Sequence, residues 1–164
     1  KDLEQTYWNT FLVNTQLFQG VKDFIIQLKS DGVITASMTD LTAKIQFRKL
    51  VYMELDRRFD YVVTSEESGQ DKPNRASFTI AMNKLLSARG STNIDTQGKE
   101  VWMIGDNVTS DLEGAKTAIN ATTLALKSEI RNHAENSSID MIFDSFTDLE
   151  KFVYEKGWDD RRKI

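Results

Sequence analysis

Three places in the chain gather side chains suited to one kind of chemistry, the handling of a phosphate. Thr39-Asp40 joins a hydroxyl to the backbone N–H groups of a helix start, Lys72 brings a compact positive charge, and Asp106 and Asp111 are carboxylates five positions apart. A hydroxyl and helix N–H groups can hold phosphate oxygens, an ammonium can neutralise them, and paired carboxylates can hold Mg²⁺. Each also has a plainer reading. Thr39 or Asp40 can cap the helix expected from Leu41, Lys72 can be a solvated lysine beside Pro73, the only proline, and Asp106 can be a turn residue. Asp111 near a helix start also complements the helix dipole. The pair of aspartates resists the plain reading best: a strand delivers Asp106 to the sheet edge and Asp111 lies about one helical turn further on, so both can point at one ion.

These residues can act together only if strands and helices present them on one side, and the apolar pattern places the elements. Leu3, Tyr7 and Phe11 recur every four residues, so 2–12 reads as an amphipathic helix, with the pattern broken at Gln19-Gly20. Val21, Phe24, Ile25 and Leu28 predict a second helix stopped by Ser30-Asp31-Gly32, and Val33 to Met38 a short buried strand. A third helix from Leu41 to about Leu55 is expected to turn Ala43, Ile45, Phe47, Leu50 and Val51 inward, ahead of the strand Tyr61-Val62-Val63. A polar loop from Ser65 through Gly69 to Lys72-Pro73 leads to a helix faced by Phe78, Ala81, Met82 and Leu85, and 89–98 reads as an irregular loop. Val101 to Ile104 is a strand ending in Gly105-Asp106, followed by a helix burying Val108, Leu112, Ala115 and Ala118. Thr122–Leu126 and Met141–Phe143 are further strands, and Ser145 with Asp148 resembles a capping box opening the last helix. The tail from Gly157 is charged and expected to fray. Strands alternating with helices predict a doubly wound α/β fold, a parallel sheet covered on both faces. Ligands of such sheets bind at the carboxyl ends of the strands, where all three candidate groups fall.

With 164 residues, 40% apolar and 28% charged, the chain suits one globular domain. A net charge of -4 offers no broad basic field, which argues against nucleic acid as a main partner. The absence of cysteine excludes disulfides, thiolate zinc sites and a catalytic thiol, and makes cytoplasm the expected compartment. No apolar run reaches the length of a membrane span. His133, the only histidine, lies in the polar segment Arg131 to Ser137 and is assigned to solvent; Trp102 is assigned to the core and Arg161-Arg162-Lys163 to a solvated tail.

The stretch Val101 to Ala118, VWMIGDNVTSDLEGAKTA, resembles the fourth motif of the haloacid dehalogenase superfamily, an apolar strand followed by Gly-Asp and a second Asp five positions later. Thr39-Asp40 within SMTDLTAKIQFRKL resembles the second motif, and Lys72 within SEESGQDKPNRASF the third. The motifs run in the family's order and cover roughly residues 19 to 153. The resemblance implies a three-layer α/β/α core of the Rossmann type. It implies a Mg²⁺-dependent phosphatase of a small phosphorylated metabolite, working through an aspartyl-phosphate. Thr39 would bind the transferring phosphate with the backbone near Asp40 assisting, Lys72 would neutralise its charge, and Asp106 would ligate Mg²⁺. Asp111 would complete or support the metal site, with Asn107 a further contributor. The Asp106/Asp111 spacing favours a phosphatase over the metal-free dehalogenases of the superfamily. Residues 1–18 would be the closing helix and linker of a helical cap, 19–156 the core, and 157–164 a tail.

One part of the family pattern is missing. The first motif, Asp-x-Asp at the end of the central strand, should precede the cap, and neither Asp56-Arg57-Arg58-Phe59-Asp60 nor Trp158-Asp159-Asp160 follows a suitable strand. In the family that strand lies between those bearing Thr39 and Asp106, and without it two strand edges would be left unpaired. An upstream N-terminal segment is therefore expected to complete the sheet and supply the nucleophile. The alternative is a catalytically inactive relative serving as a binding or structural module; a receiver-type or flavodoxin-like domain would share the α/β pattern but leave Lys72 and the aspartate pair as coincidence.

Overall fold

Short apolar strands separated by helices pair in parallel, and here they do so in two groups. The structure, a computed structural model, describes residues 2–89, 101–130 and 137–155. In chain order it contains α1 (Leu3–Val13), α2 (Val21–Ser30), β1 (Ala36–Thr39), α3 (Ala43–Tyr52), β2 (Tyr61–Thr64), α4 (Ser65–Ser68) and α5 (Arg75–Arg89). There follow β3 (Trp102–Gly105), a π-helical turn (Val108–Glu113), α6 (Gly114–Ile119), β4 (Thr122–Leu126), β5 (Met141–Phe143) and α7 (Phe146–Glu155). β1 pairs with β2, Met38 opposite Val63, while β4 is the middle strand of β3-β4-β5, Ile104 opposite Leu124 and Ala125 opposite Ile142. Among the described residues β1 and β3 belong to separate sheets.

Strand alternation sorts the side chains into two buried faces. On one, Trp102, Ile104, Leu124, Leu126 and Phe143 meet Phe24 of α2 and Phe146, Leu149 and Val153 of α7. Val62 of β2 joins the same layer through Ile25 and Leu50. On the other, Met38 of β1 and Met103 of β3 both pack on a cluster built from Phe78 of α5 and Ala115 and Ala118 of α6. The helices thus span both strand groups, giving three α/β/α layers. β4, with a neighbour on each side, is buried from Thr123 to Leu126, whereas β1 and β3 are half-buried along their whole length.

Each strand group has its own brace at the amino ends of its strands. Asp60, just before β2, accepts the Thr35 N–H at 2.9 Å and the Thr35 hydroxyl at 3.1 Å, with the Lys29 ammonium 3.3 Å away. Asp140, just before β5, accepts the Thr123 N–H and hydroxyl, both at 2.9 Å, and pairs with Lys116 at 2.5 Å. Burial works to raise both carboxyls, but the donated N–H and hydroxyl bonds and the lysine charges outweigh it and hold both below the ordinary value.

Several expectations need correction. α3 buries Gln46 and Leu50, while Phe47 and Val51 are exposed. The Gln46 amide donates to the Ser37 hydroxyl at 3.1 Å, so a polar residue that finds a partner on β1 takes the inward position. α1 buries no residue; Leu3 and Tyr7 face solvent, and Trp8, Phe11 and Leu12 line a crevice against Ile45, Arg48 and Lys49. The helix expected to carry Asp111 begins as a π-turn, and the polar loop after β2 contains the short helix α4. The expected capping box at α7 is one-sided: Ser145 Oγ accepts the Asp148 N–H at 3.1 Å and donates to the Asp148 carboxylate at 2.6 Å. Most of the expected loop at 89–98, the segment around His133, and the tail with Trp158-Asp159-Asp160 and Arg161-Arg162-Lys163 lie outside the described residues.

Candidate active site

β1, β2 and β3 all end at the same edge of the molecule, and the segments leaving them converge on Lys72. Its side chain is 9% exposed, and its Nζ lies 2.8 Å from Oδ1 of Asp111, itself 6% exposed, and 4.0 Å from Oδ2 of Asp40. The Lys72 backbone N–H donates to Asp40 Oδ1 at 2.9 Å. Lys72 therefore comes from the loop after β2 and is held by a carboxylate from each strand group. The loop has further support: the hydroxyls of Ser68 and the buried Ser77 stand 2.9 Å apart and lie 2.7 and 2.9 Å from the Gln70 carbonyl, so one of them donates to that carbonyl while the other shares its proton between the carbonyl and its neighbour.

Asp111 is fixed by its own turn. Its Oδ2 accepts the Asn107 N–H at 3.2 Å, and Asn107 Oδ1 accepts the Ser110 N–H at 3.0 Å, capping the turn. The Asp111 and Leu112 N–H groups both reach the Asn107 carbonyl, at 2.9 and 3.4 Å, the shared pattern from which the π-turn grows. Gly105 makes this possible: a Cβ there would stand 2.5 Å from the Asp111 Cβ. Gly114 does the same one turn later, where a Cβ would meet the Phe78 ring at 2.8 Å and Pro73 at 3.0 Å, so α6 packs directly on the wall behind Lys72.

Neither Thr39 nor Asp40 caps α3. The N–H of Ala43 is taken by Glu66 Oε2 at 2.9 Å, and the Thr39 hydroxyl accepts the Leu41 N–H at 3.4 Å, while its proton has no acceptor among the described residues. Asp106, directly after Gly105, is exposed and makes no hydrogen bond to another described residue. Asp106 and Asp111 are hard oxygen donors, and Mg²⁺ is commonly held by one or two carboxylates with the remaining positions left to water. Both residues have the donor chemistry that ion takes, but among the described residues no group of three or more His, Cys, Asp or Glu stands together, and Asp111 is already engaged by Lys72 and Asn107. The structure thus brings Asp40, Lys72, Asn107 and Asp111 into one hydrogen-bonded group and sets Thr39 and Asp106 beside it in the chain. Sequence reasoning did not find Glu66, the Ser68/Ser77 pair or Gly114, and it read Gly105 as the turn glycine of the Gly-Asp motif without the close approach to Asp111 that requires it.

The model of the haloacid dehalogenase-like hydrolase family matches residues 1–125. A ribulose-1,5-bisphosphate 5-phosphatase of Halopiger xanaduensis is 33% identical over 135 residues, covering 82% of this chain and 53% of that protein. A glyceraldehyde 3-phosphate phosphatase of Pyrococcus furiosus is 29% identical over 110 residues, covering 67% and 42%. The chain spans about half the length of the curated relatives it matches. Among solved structures, a HAD phosphatase from Thermococcus onnurineus superposes with a TM-score of 0.72 at 20% identity, over 93% of this chain and 65% of that one. A HAD-hydrolase from Bacillus subtilis, YfnB, bound to magnesium, gives 0.71 at 20% identity, over 92% and 60%. These likenesses agree with the expected α/β/α fold.

Proposed function

The chain belongs to the haloacid dehalogenase-like hydrolase family, and from that premise we propose that it forms most of the core of a Mg²⁺-dependent phosphatase acting on a small phosphorylated metabolite. The observation that carries the proposal is Lys72, a nearly buried ammonium held between Asp40 and Asp111 at the carboxyl ends of both strand groups. There it can neutralise a phosphate, while the Thr39 hydroxyl and the backbone around Asp40 hold phosphate oxygens. Asp106 would ligate Mg²⁺ directly, with Asp111 supporting the site through its bond to Asn107. When bound, the ion would screen the repulsion between an attacking carboxylate and the phosphate.

The nucleophile is assigned to an aspartate on an upstream strand inserted between β1 and β3. The edges of β1 and β3 that find no partner among the described residues, the half-burial of both strands and their common packing on Phe78 support that position. That carboxylate would attack phosphorus as the bond to the substrate oxygen breaks, and the departing oxygen would take up a proton from water. Water would then cleave the aspartyl-phosphate and release inorganic phosphate. Residues 1–18 would close a cap, 19–156 form the core and 157–164 a tail. The substrates of the relatives above point to phosphorylated sugars.

The test is phosphate release from ribulose 1,5-bisphosphate, glyceraldehyde 3-phosphate and a panel of sugar phosphates, using the polypeptide that includes the residues preceding Lys1. Turnover that needs Mg²⁺ and falls about 10²-fold or more in Lys72→Ala is expected. No turnover of any phosphate ester would instead favour the inactive binding module.

A further inference from the structure

We propose that the Asp40 side chain is a positioning residue that sets the place of Lys72 for phosphoryl transfer, a role that rests on the phosphatase reading and extends it. Asp40 would otherwise contribute to such a site only through its backbone. Its carboxylate is instead turned away from the start of α3, whose Ala43 N–H is already taken by Glu66, and spans to the neighbouring loop. There Oδ1 accepts the Lys72 backbone N–H at 2.9 Å and Oδ2 stands 4.0 Å from the same residue's ammonium. One carboxylate thus holds both ends of one lysine.

The contact joins parts that nothing local would hold together. Asp40 and Lys72 are separated by 32 residues and leave the ends of adjacent strands. The Ser68/Ser77 pair fixes the loop at the Gln70 carbonyl, and Pro73 rests against α6 at Gly114, but Lys72 itself is anchored at its backbone by Asp40. A hydrogen bond to a charged acceptor is stronger than a neutral one, and its loss frees the lysine to follow Asp111 alone. A displacement of about 1 Å in a group that must meet a transferring phosphate can cost ~10²-fold in rate.

Two variants separate this role from its rivals. Asp40→Asn keeps an oxygen for the Lys72 N–H but gives up the charge; Asp40→Ala gives up both. In the full polypeptide, kcat is expected to fall severalfold in Asp40→Asn and about 10²-fold in Asp40→Ala, with KM changed less than about threefold in either. Hydrogen exchange at the Lys72 amide is expected to speed up about ten- to a hundredfold in Asp40→Ala and much less in Asp40→Asn. Unchanged Lys72 exchange in Asp40→Ala overturns the proposal whether or not the polypeptide proves to be a phosphatase, so that failure is distinct from failure of the functional reading. Equal losses in both variants, or a loss seen chiefly in KM, would make Asp40 a direct substrate contact and overturn it too. A fall in melting temperature with kcat per folded molecule intact would reduce the contact to fold stability alone.

Discussion

Substituting Lys72 by methionine removes the ammonium but keeps most of the stem, and it leaves the Asp111 carboxylate buried at 6% exposure without its 2.8 Å partner. What remains to Asp111 is the Asn107 N–H at 3.2 Å and the Ser110 hydroxyl at 3.5 Å, two acceptable but uncharged donors. Breaking a buried pair from one side costs about 3–5 kcal/mol, and the two remaining donors reduce this to about 2–4 kcal/mol. Asp111→Asn should cost less, about 1–2 kcal/mol, because the amide oxygen can still face Lys72 and Asp40 stands 4.0 Å from the ammonium. In the double variant no carboxylate is left at position 111, so the losses should fall short of additivity by about 2 kcal/mol. The assay is urea denaturation with EDTA present, so that no divalent ion enters the balance. With a slope of ~2 kcal/mol per molar, a 3 kcal/mol loss moves the midpoint by about 1.5 M, well outside error. Additive losses, with a coupling below about 0.5 kcal/mol, would mean the two charges do not meet in solution and would remove the centre of the proposed site.

Asp60 and Asp140 both titrate below the ordinary carboxylate value of 3.8, so their ionised forms add stability above that pH and lose it as pH falls through the lower folded values. Asp60→Asn and Asp140→Asn should therefore each cost about 1 kcal/mol at neutral pH, a difference from the parent that shrinks below about pH 4 in acid-titrated melts. Gly114→Ala places a methyl 2.8 Å from the Phe78 ring, where overpacking should cost about 1–3 kcal/mol and lower the melting temperature; an unchanged melt would show that α5 and α6 can part at no cost.

The residues proposed to bear chemistry were more legible than the way they are held. Gly105-Asp106 and Asp111 stood out because an apolar strand ends in a turn glycine and two carboxylates follow at a fixed spacing, a pattern local in sequence. β4 and β5 were found at their observed bounds because five- and three-residue runs between polar turns leave little freedom. The inward face of α3 was misread because apolar character alone favoured Phe47 and Val51, whereas Gln46 is drawn in by Ser37, a partner on another element. The plainer reading of Thr39 or Asp40 as the cap of α3 fails for the same reason: the helix starts after Thr42, and Glu66, 23 residues on from Ala43, reaches the Ala43 N–H. Such long-range pairings leave no periodic trace.

The two braces and the lysine clamp explain how strands that do not pair among the described residues can still be aligned. Asp60 and Asp140 fix strand register at the amino ends, each within its own group, through a threonine that gives both an N–H and a hydroxyl and through a lysine from the preceding helix. Neither brace crosses from one group to the other. At the carboxyl ends the opposite holds: Lys72, reaching Asp40 on one side and Asp111 on the other, crosses the break, and the Phe78 cluster crosses it beneath the strands. A strand placed between β1 and β3 would find its register set by independent edges below and would meet one ammonium above. The charge that links the two halves is then the charge that any carboxylate or phosphate arriving at the end of that strand would contact first, which joins the alignment of the sheet to the chemistry proposed for it.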